Sequence, residues 1–244
     1  MAGDHFSGHA ADYAKFRPGY PEALFEWIAA QTTDHDLAWD CGCGNGQASV
    51  PLAARYRRVA ATDFSAEQIA AATPHPLIDY RAAPAEASGL PDRCADLVTI
   101  AQALHWFDFE HFYAEVRRVV KPGGAIVAWT YQLLRAETVI DAVLADFYTH
   151  TLGPHWPPER KWVDAAYRGM PFPFREIAAP DFEIRLQWSL ADLLAYLGTW
   201  SATRRYRKAE GSDPVPALGE RLAAAWGDGT REIVWPIAMR AGHV

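Results

Sequence analysis

A glycine-rich turn set directly behind a short apolar run limits what this chain can fold into more than any other feature. Leu37-Ala38-Trp39-Asp40-Cys41 is followed at once by Gly42-Cys43-Gly44-Asn45-Gly46. An apolar run of that length reads as a buried strand. Glycines let the backbone turn tightly and approach a ligand, and the helix that follows offers free N–H groups. Pro51 must then fall within the first turn of that helix. The dinucleotide fingerprint G-x-G-x-x-G requires a third glycine at position 47, where this chain has Gln47, so the pattern here is G-x-G-x-G.

The second strand, Val59–Thr62, closes on Asp63. An acidic residue there can hydrogen-bond both hydroxyls of a ribose. The alternative is an aspartate that serves only the next helix, which already begins with Ser65 and Gln68 in capping-box spacing. Loop and acid together imply an adenosine-containing cofactor without saying which one.

The rest of the chain supplies the frame. Pro21 suits a helix start, with Leu24, Phe25 and Ile28 as its apolar stripe. Ile78–Arg81 and Asp96–Ala101 are further strands, the latter apolar enough to be buried on both faces. Asp108 caps a helix that turns Phe112, Val116, Val119 and Val120 inward. Lys121-Pro122-Gly123-Gly124 ends it before a strand at Ala125–Trp129. Strands alternating with helices mean βαβ crossovers and a parallel sheet. Residues 131–180 break the rhythm with one helix (Val139–Thr151) and many prolines among Trp156, Trp162, Phe172 and Phe174. They read as an insertion covering a site. Phe182–Trp188 and Ile233–Met239 alternate as two half-exposed strands, separated by helices around Leu190–Arg205 and Ala217–Trp226. The 244 residues hold no repeat or linker and predict one domain: a core over 1–130, a cap over 131–180, and strands and helices over 181–244 that complete the sheet.

Net charge is −7, against the basic face that a nucleic-acid substrate favours. No window is long and apolar enough for a membrane span. Three cysteines and an N-terminus without the pattern of a signal peptide suit a reducing cytoplasm. Cys41 and Cys43 are too close for a C-x-x-C pair, so no metal is expected. Ten tryptophans supply core and rim, or an aromatic-lined pocket.

In these motifs the chain resembles the class I S-adenosylmethionine-dependent methyltransferases with a type 11 domain. The likeness is to the small-molecule branch that includes trans-aconitate and ubiquinone/menaquinone-type enzymes. It rests on the order and spacing of Trp39–Gly46, Ala61–Ile69, Ala85-Glu86-Ala87, Asp96–Trp106 and Val119–Gly124. It implies a Rossmann-like, doubly wound, mostly parallel seven-stranded sheet with helices on both faces and a helical, aromatic cap. The implied cofactor is S-adenosylmethionine, leaving as S-adenosylhomocysteine.

Residue by residue, the resemblance implies that Asp40 and Gly42, Cys43, Gly44, Asn45 and Gly46 hold the methionine part and the sugar edge. Asp63 takes the ribose hydroxyls, with Phe64 and Gln68 against adenine. Ala85 and Glu86 meet the adenine amine, although Pro84 stands where many relatives carry an acid. Ala101 and Gln102 lie beside the donor's amino group, and Tyr13 and Arg17 close over its carboxylate.

Methyl transfer from a sulfonium depends on near-attack geometry and exclusion of water, with a base only where the acceptor must lose a proton. His105 is the candidate base, against a histidine that is merely packed. Trp106 is a pocket wall or core. Arg204 and Arg205, with Arg207 behind them, either clamp a carboxylate or end a solvated helix. The expected acceptor is a small molecule, bound by a monomer or homodimer, at a carboxylate or hydroxyl. The alternatives are a protein that binds the cofactor without turnover, a nicotinamide-dependent oxidoreductase, and a methyltransferase acting on a macromolecule.

Overall fold

The computed structural model describes residues 17–244; Tyr13 lies outside them. The chain runs α1 (Glu22–Ala29), β1 (Leu37–Cys41), α2 (Ser49–Ala53), β2 (Arg58–Asp63), α3 (Ala66–Ala70), β3 (Ile78–Ala82) and β4 (Ala95–Ala101). A 3-10 turn (Leu104–Trp106) leads to α4 (Phe109–Val119) and β5 (Val120–Tyr131). Then come α5 (Thr138–Asp146), a π-helical turn (Phe147–Thr151), α6 (Arg160–Asp164), β6 (Arg175–Glu176) and β7 (Phe182–Trp188). Finally α7 (Leu190–Gly198), α8 (Ser201–Glu210) and α9 (Val215–Trp226) precede β8 (Arg231–His243).

The strands form one sheet in the order β3-β2-β1-β4-β5-β8-β6, with β7 also paired to β8. The first five are parallel; β8 runs antiparallel to β5, and β6 and β7 run antiparallel to β8. Among the described residues there are eight strands where seven were expected. The extra one is β6, two residues from the proline-rich segment and too short to show alternation. The sheet separates two apolar layers, and β5 divides its side chains between them by the two-residue period of a strand. Ala125, Val127 and Trp129 enter the layer with α1, α7 and α9, whereas Ile126 and Ala128 enter the layer with α4. Burial on both faces explains why β4 and β5 are nearly continuous apolar runs.

Local expectations hold in most places and shift in three. Ser65 accepts from the Gln68 amide and Asp108 from that of His111, so both predicted caps form. Val120 is not helical: α4 stops at Val119, and Val120 pairs with Ala95 across a bulge that absorbs Lys121–Gly124. Gly124 is required there, because a Cβ on it would lie 2.6 Å from the Asp96 carbonyl. The helical stretch at Leu190–Arg205 is two helices, broken where Thr199 Oγ1 donates back to the Tyr196 carbonyl at 2.7 Å and Trp200 turns extended. The insertion carries α6 in addition to the expected helix, which runs from α5 straight into the π-helical turn.

Candidate active site

The glycine loop crosses the carboxyl end of β1, and its own backbone fixes it. The amides of Gly42 and Cys43 both donate to the Thr62 carbonyl, at 2.8 and 3.0 Å. Gly42, Gly44 and Gly46 all have positive φ (70°, 55° and 93°). At two of them space is also lacking: a Cβ on Gly42 would meet Ala103 Cβ at 2.5 Å, and one on Gly46 would meet Tyr80 Oη at 2.3 Å. At Gly44 the nearest atom is Gln68 Oε1, 3.8 Å away, so the loop is open on that side. Asp63 holds the loop from β2. Its Oδ2 accepts from the Gly44 amide and its Oδ1 from the Ser65 amide, both at 2.8 Å. Asp63 therefore both braces the loop and starts α3.

Asp40 lies beneath this surface rather than in it. It is fully buried; its Oδ2 accepts from Ser49 Oγ (2.6 Å) and its Oδ1 from Thr99 Oγ1 (3.0 Å). It thus ties β1 to α2 and to β4. Burial pushes its pKa up to about 6, against the pull of those two hydroxyls.

Above the loop opens a cleft of about 1200 Å³, mouth included, ample for a nucleoside-sized ligand. Gly42, Cys43, Gly44, Asn45, Asp63, Phe64, Gln68, Ala85, Glu86, Ala101, Gln102 and Trp106 line it. Phe64 stands 65% exposed at the rim, positioned to close over a flat group. Glu86 is held in place by accepting from the Asp108 amide at 3.0 Å. Tyr20, Pro84, Ala103, Phe107 and Tyr131 are also in the wall.

A second, smaller cavity of about 640 Å³, mouth included, adjoins the first. It is bordered by Arg17, His105 and Gln132, by Trp156, Pro157 and Arg160 from the cap, and by Tyr196, Trp200 and Ser201. Gln102, Trp106 and Tyr131 border both spaces. Gln102 follows β4 at φ 60°. Its Oε1 accepts from Thr130 Oγ1 at 2.8 Å, while its Nε2 is buried without a hydrogen-bond partner among the described residues. Backbone strain and an unsatisfied buried donor are both costly, and they concentrate where a ligand compensates them. The open face at Gly44 and the Gln102 amide are thus fitted to a bound adenosyl amino acid.

Residues 39–128 match the family described as a methyltransferase domain. A Dictyostelium discoideum protein named as a methyltransferase is 33% identical over 227 residues, spanning 91% of this chain and 86% of the relative. The chain belongs to the class I S-adenosylmethionine-dependent methyltransferases. A solved structure from Anaeromyxobacter dehalogenans, assigned as a type II methyltransferase, is 46% identical with a TM-score of 0.87, over 93% of this chain and 98% of that one. A Bacillus halodurans structure at 16% identity and a TM-score of 0.52, covering 91% and 97%, shares the fold. S-adenosylmethionine is the cofactor of this methyltransferase.

Within the methyltransferase, His105 lies in the second cavity and not in the first. It sits in the 3-10 turn, buried, with Nδ1 3.1 Å from the Tyr167 hydroxyl of the cap. Burial, aided by the positive charge of Arg160, drops its pKa to about 3. It is neutral at physiological pH and a weak proton acceptor. Arg204 and Arg205 border neither cavity; the wall ends at Ser201, and they lie a turn further along α8. Arg207 donates to the Gly198 carbonyl and to Asp213, which fastens α8 to its neighbours. The cations that do reach the second cavity are Arg17, which donates to the Tyr131 hydroxyl and lies over the Tyr196 ring, and Arg160. Arg160 and Tyr131 carry no motif signal. Only the crowding of Trp156 and Pro157 beside Arg160 hints that this part of the cap is a wall. Among the described residues, no cluster of side chains is set to hold a metal and no helix is long and apolar enough to cross a membrane.

Proposed function

We propose that this methyltransferase modifies a small-molecule acceptor held in the second cavity. The observation carrying this reading is that Gln102, Trp106 and Tyr131 border both spaces, so an acceptor there meets the cofactor cleft across a single shared wall. The cofactor supplies a methyl group on a sulfonium sulfur, already activated for displacement. What remains for the chain is to hold an acceptor atom in line and keep water away. The Gly42–Gly46 loop, Asp63, Phe64, Gln68, Ala85 and Glu86 bind and orient the donor side. Ala101 and Gln102 meet its amino acid end, and Arg17 stands on the acceptor side, at the second cavity. Asp40 acts from below by fixing β1 to α2 and β4. Trp106, Trp156 and Trp200 exclude water on the acceptor side. His105 orients through Tyr167 and is too weak a base to accept a proton near neutral pH, so an acceptor oxygen that is already anionic suits this site. Net charge of −7 and a cavity of small-molecule size favour such an acceptor over nucleic acid.

Calorimetric titration with S-adenosylmethionine, S-adenosylhomocysteine and NADH, on the wild type and on Asp63→Ala, tests the donor half. Micromolar binding of both adenosyl compounds is expected, weakened roughly tenfold or more in the variant, because charge-assisted hydrogen bonds of about 1.5–3 kcal/mol are lost. Binding of NADH in their place overturns the reading.

A further inference from the structure

Tyr167 of the cap reaches His105 from a costly backbone. It and Ala166 are consecutive non-glycine residues in the left-handed region, at φ 59° and 55°, a conformation that persists only where the surroundings enforce it. Arg240 Nη1 donates to the Tyr167 carbonyl at 3.1 Å, and the ring is fully buried in the apolar layer that holds Val163 and Met170. The result is a hydroxyl set between two other elements. Tyr167 Oη lies 3.1 Å from His105 Nδ1, and the Thr130 hydroxyl of β5 is its second hydrogen-bond partner. The protons along this chain can be counted. Thr130 Oγ1 has one, and it goes to Gln102 Oε1 at 2.8 Å in preference to the Tyr131 carbonyl at 3.5 Å. Thr130 is left to accept from Tyr167, which uses the one proton of that hydroxyl. Tyr167 Oη must then accept from His105, so the ring proton sits on Nδ1 and Nε2 is bare. The charges agree. Arg17 and Arg160 border the same cavity, the positive charge of Arg160 reaches the His105 ring, and a lone pair faces cations more favourably than an N–H does.

We infer that Tyr167 is a positioning residue: from the cap it fixes the tautomer of His105, so that Nε2 serves the second cavity as an unprotonated hydrogen-bond acceptor and recognises an O–H or N–H of the molecule to be methylated. His105 borders only the second cavity, apart from the wall shared with the cofactor cleft. The protic group it meets is therefore a second handle on that molecule and not the atom that takes the methyl group, and no proton leaves it. The same chain of hydroxyls ends at the Gln102 amide on the shared wall, so one side chain of the cap is tied to both ends of the bound molecule. This inference rests on the second cavity being the acceptor site, as proposed above.

The test is long-range proton–nitrogen correlation NMR near neutral pH on the full chain with isotope-labelled histidine, the His105 signals being identified by their loss in His105→Gln. A protonated ring nitrogen and a bare one resonate far apart. The expected wild-type pattern is Nδ1 protonated and Nε2 bare. Tyr167→Phe should draw the two shifts together as the tautomers mix. Thr130→Val should exchange them, because Tyr167 then turns its proton towards Nδ1. The reverse pattern in the wild type overturns the inference, and so does a wild-type pattern kept in both variants, which a merely packed tyrosine would give. Should neither variant fold, the wild-type pattern decides alone. Phenol and its methyl ether, anisole, probe the recognition. Phenol should move the Nε2 signal towards the protonated range and anisole should not; equal responses, or none, overturn that half. Calorimetric binding of S-adenosylhomocysteine is a separate readout, and its absence in the wild type would sink the methyl-transfer reading while leaving the tautomer pattern as measured.

Discussion

Two buried titratable residues pull the stability of this protein in opposite directions. Asp40, raised from 3.8 to about 6, stays protonated in the folded state at pH values where the unfolded chain has already released its proton. Its contribution therefore falls as pH rises from about 4 to about 6, by about 3 kcal/mol for a shift of that size. His105, lowered from 6.5 to about 3, behaves in the reverse sense. The unfolded chain takes the proton first, so stability is full above about pH 6.5 and is lost as pH falls towards 3. Between about pH 4.5 and 6 the two slopes oppose each other. Denaturant midpoints of Asp40→Asn should rise with pH across that window and those of His105→Gln should fall, with the wild type flatter than either; an Asp40→Asn profile parallel to the wild type would refute the account. At Gly46, alanine combines a positive φ with a Cβ placed 2.3 Å from Tyr80 Oη. A loss of about 2–5 kcal/mol is expected. In a cycle with Tyr80→Ala the double variant should lose clearly less than the sum, the remainder being backbone strain. The loop and Asp63 were legible because glycine spacing and an acid closing a strand state a local requirement. Asp40 was expected to hold the cofactor directly, and its place as a buried brace was not legible, since nothing in Trp39-Asp40-Cys41 reveals that Ser49 and Thr99 lie over it.

Among the elements, the insertion is held by its far end. Arg240 of β8 donates to the carbonyls of Tyr167 (3.1 Å) and Met170 (3.2 Å) and makes a two-pronged contact with Glu176. Tyr113 and Arg117 of α4 donate to the carbonyls of Pro171 and Pro173. Arg240→Ala leaves the Met170 carbonyl without its donor and that of Tyr167 with only the Met170 amide, a cost of about 2 kcal/mol. Hydrogen exchange in this variant should speed up within residues 160–176 while the amides of β1, β4 and β5 keep wild-type protection; unchanged exchange in the insertion would show that α4 alone suffices. The parallel half of the sheet was legible because its strands are apolar runs and its turns carry caps and glycines. The insertion was not. α6 and β6 are short, lack an apolar stripe of their own, and are fixed by partners distant in sequence, such as Gln132 and Arg240. Arg204 and Arg205 were misleading for a related reason: nearness to Trp200 in sequence does not carry a side chain past the end of a cavity wall.

At the scale of the whole molecule, β8 closes the structure. It joins β5, β6 and β7, and the residues of β5 that it covers, Ala125–Trp129, have no exposed surface. A chain lacking residues 231–244 would present that apolar edge to solvent and detach β7 from the sheet. It should accumulate in the insoluble fraction or melt without a cooperative transition; a soluble, cooperatively melting product would mean that the parallel half folds independently. The placement of the aromatic residues has a further consequence. Trp39, Trp129, Trp226 and Trp235 are sealed inside, whereas Trp106, Trp156 and Trp200 border the second cavity. Indole emission depends on the polarity and quenchers around the ring. The interior group therefore gives a steady background, and the cavity group changes colour or brightness when the space fills. The folded protein carries its own light source at the place where an acceptor would arrive, and arrival can be watched without attaching any dye.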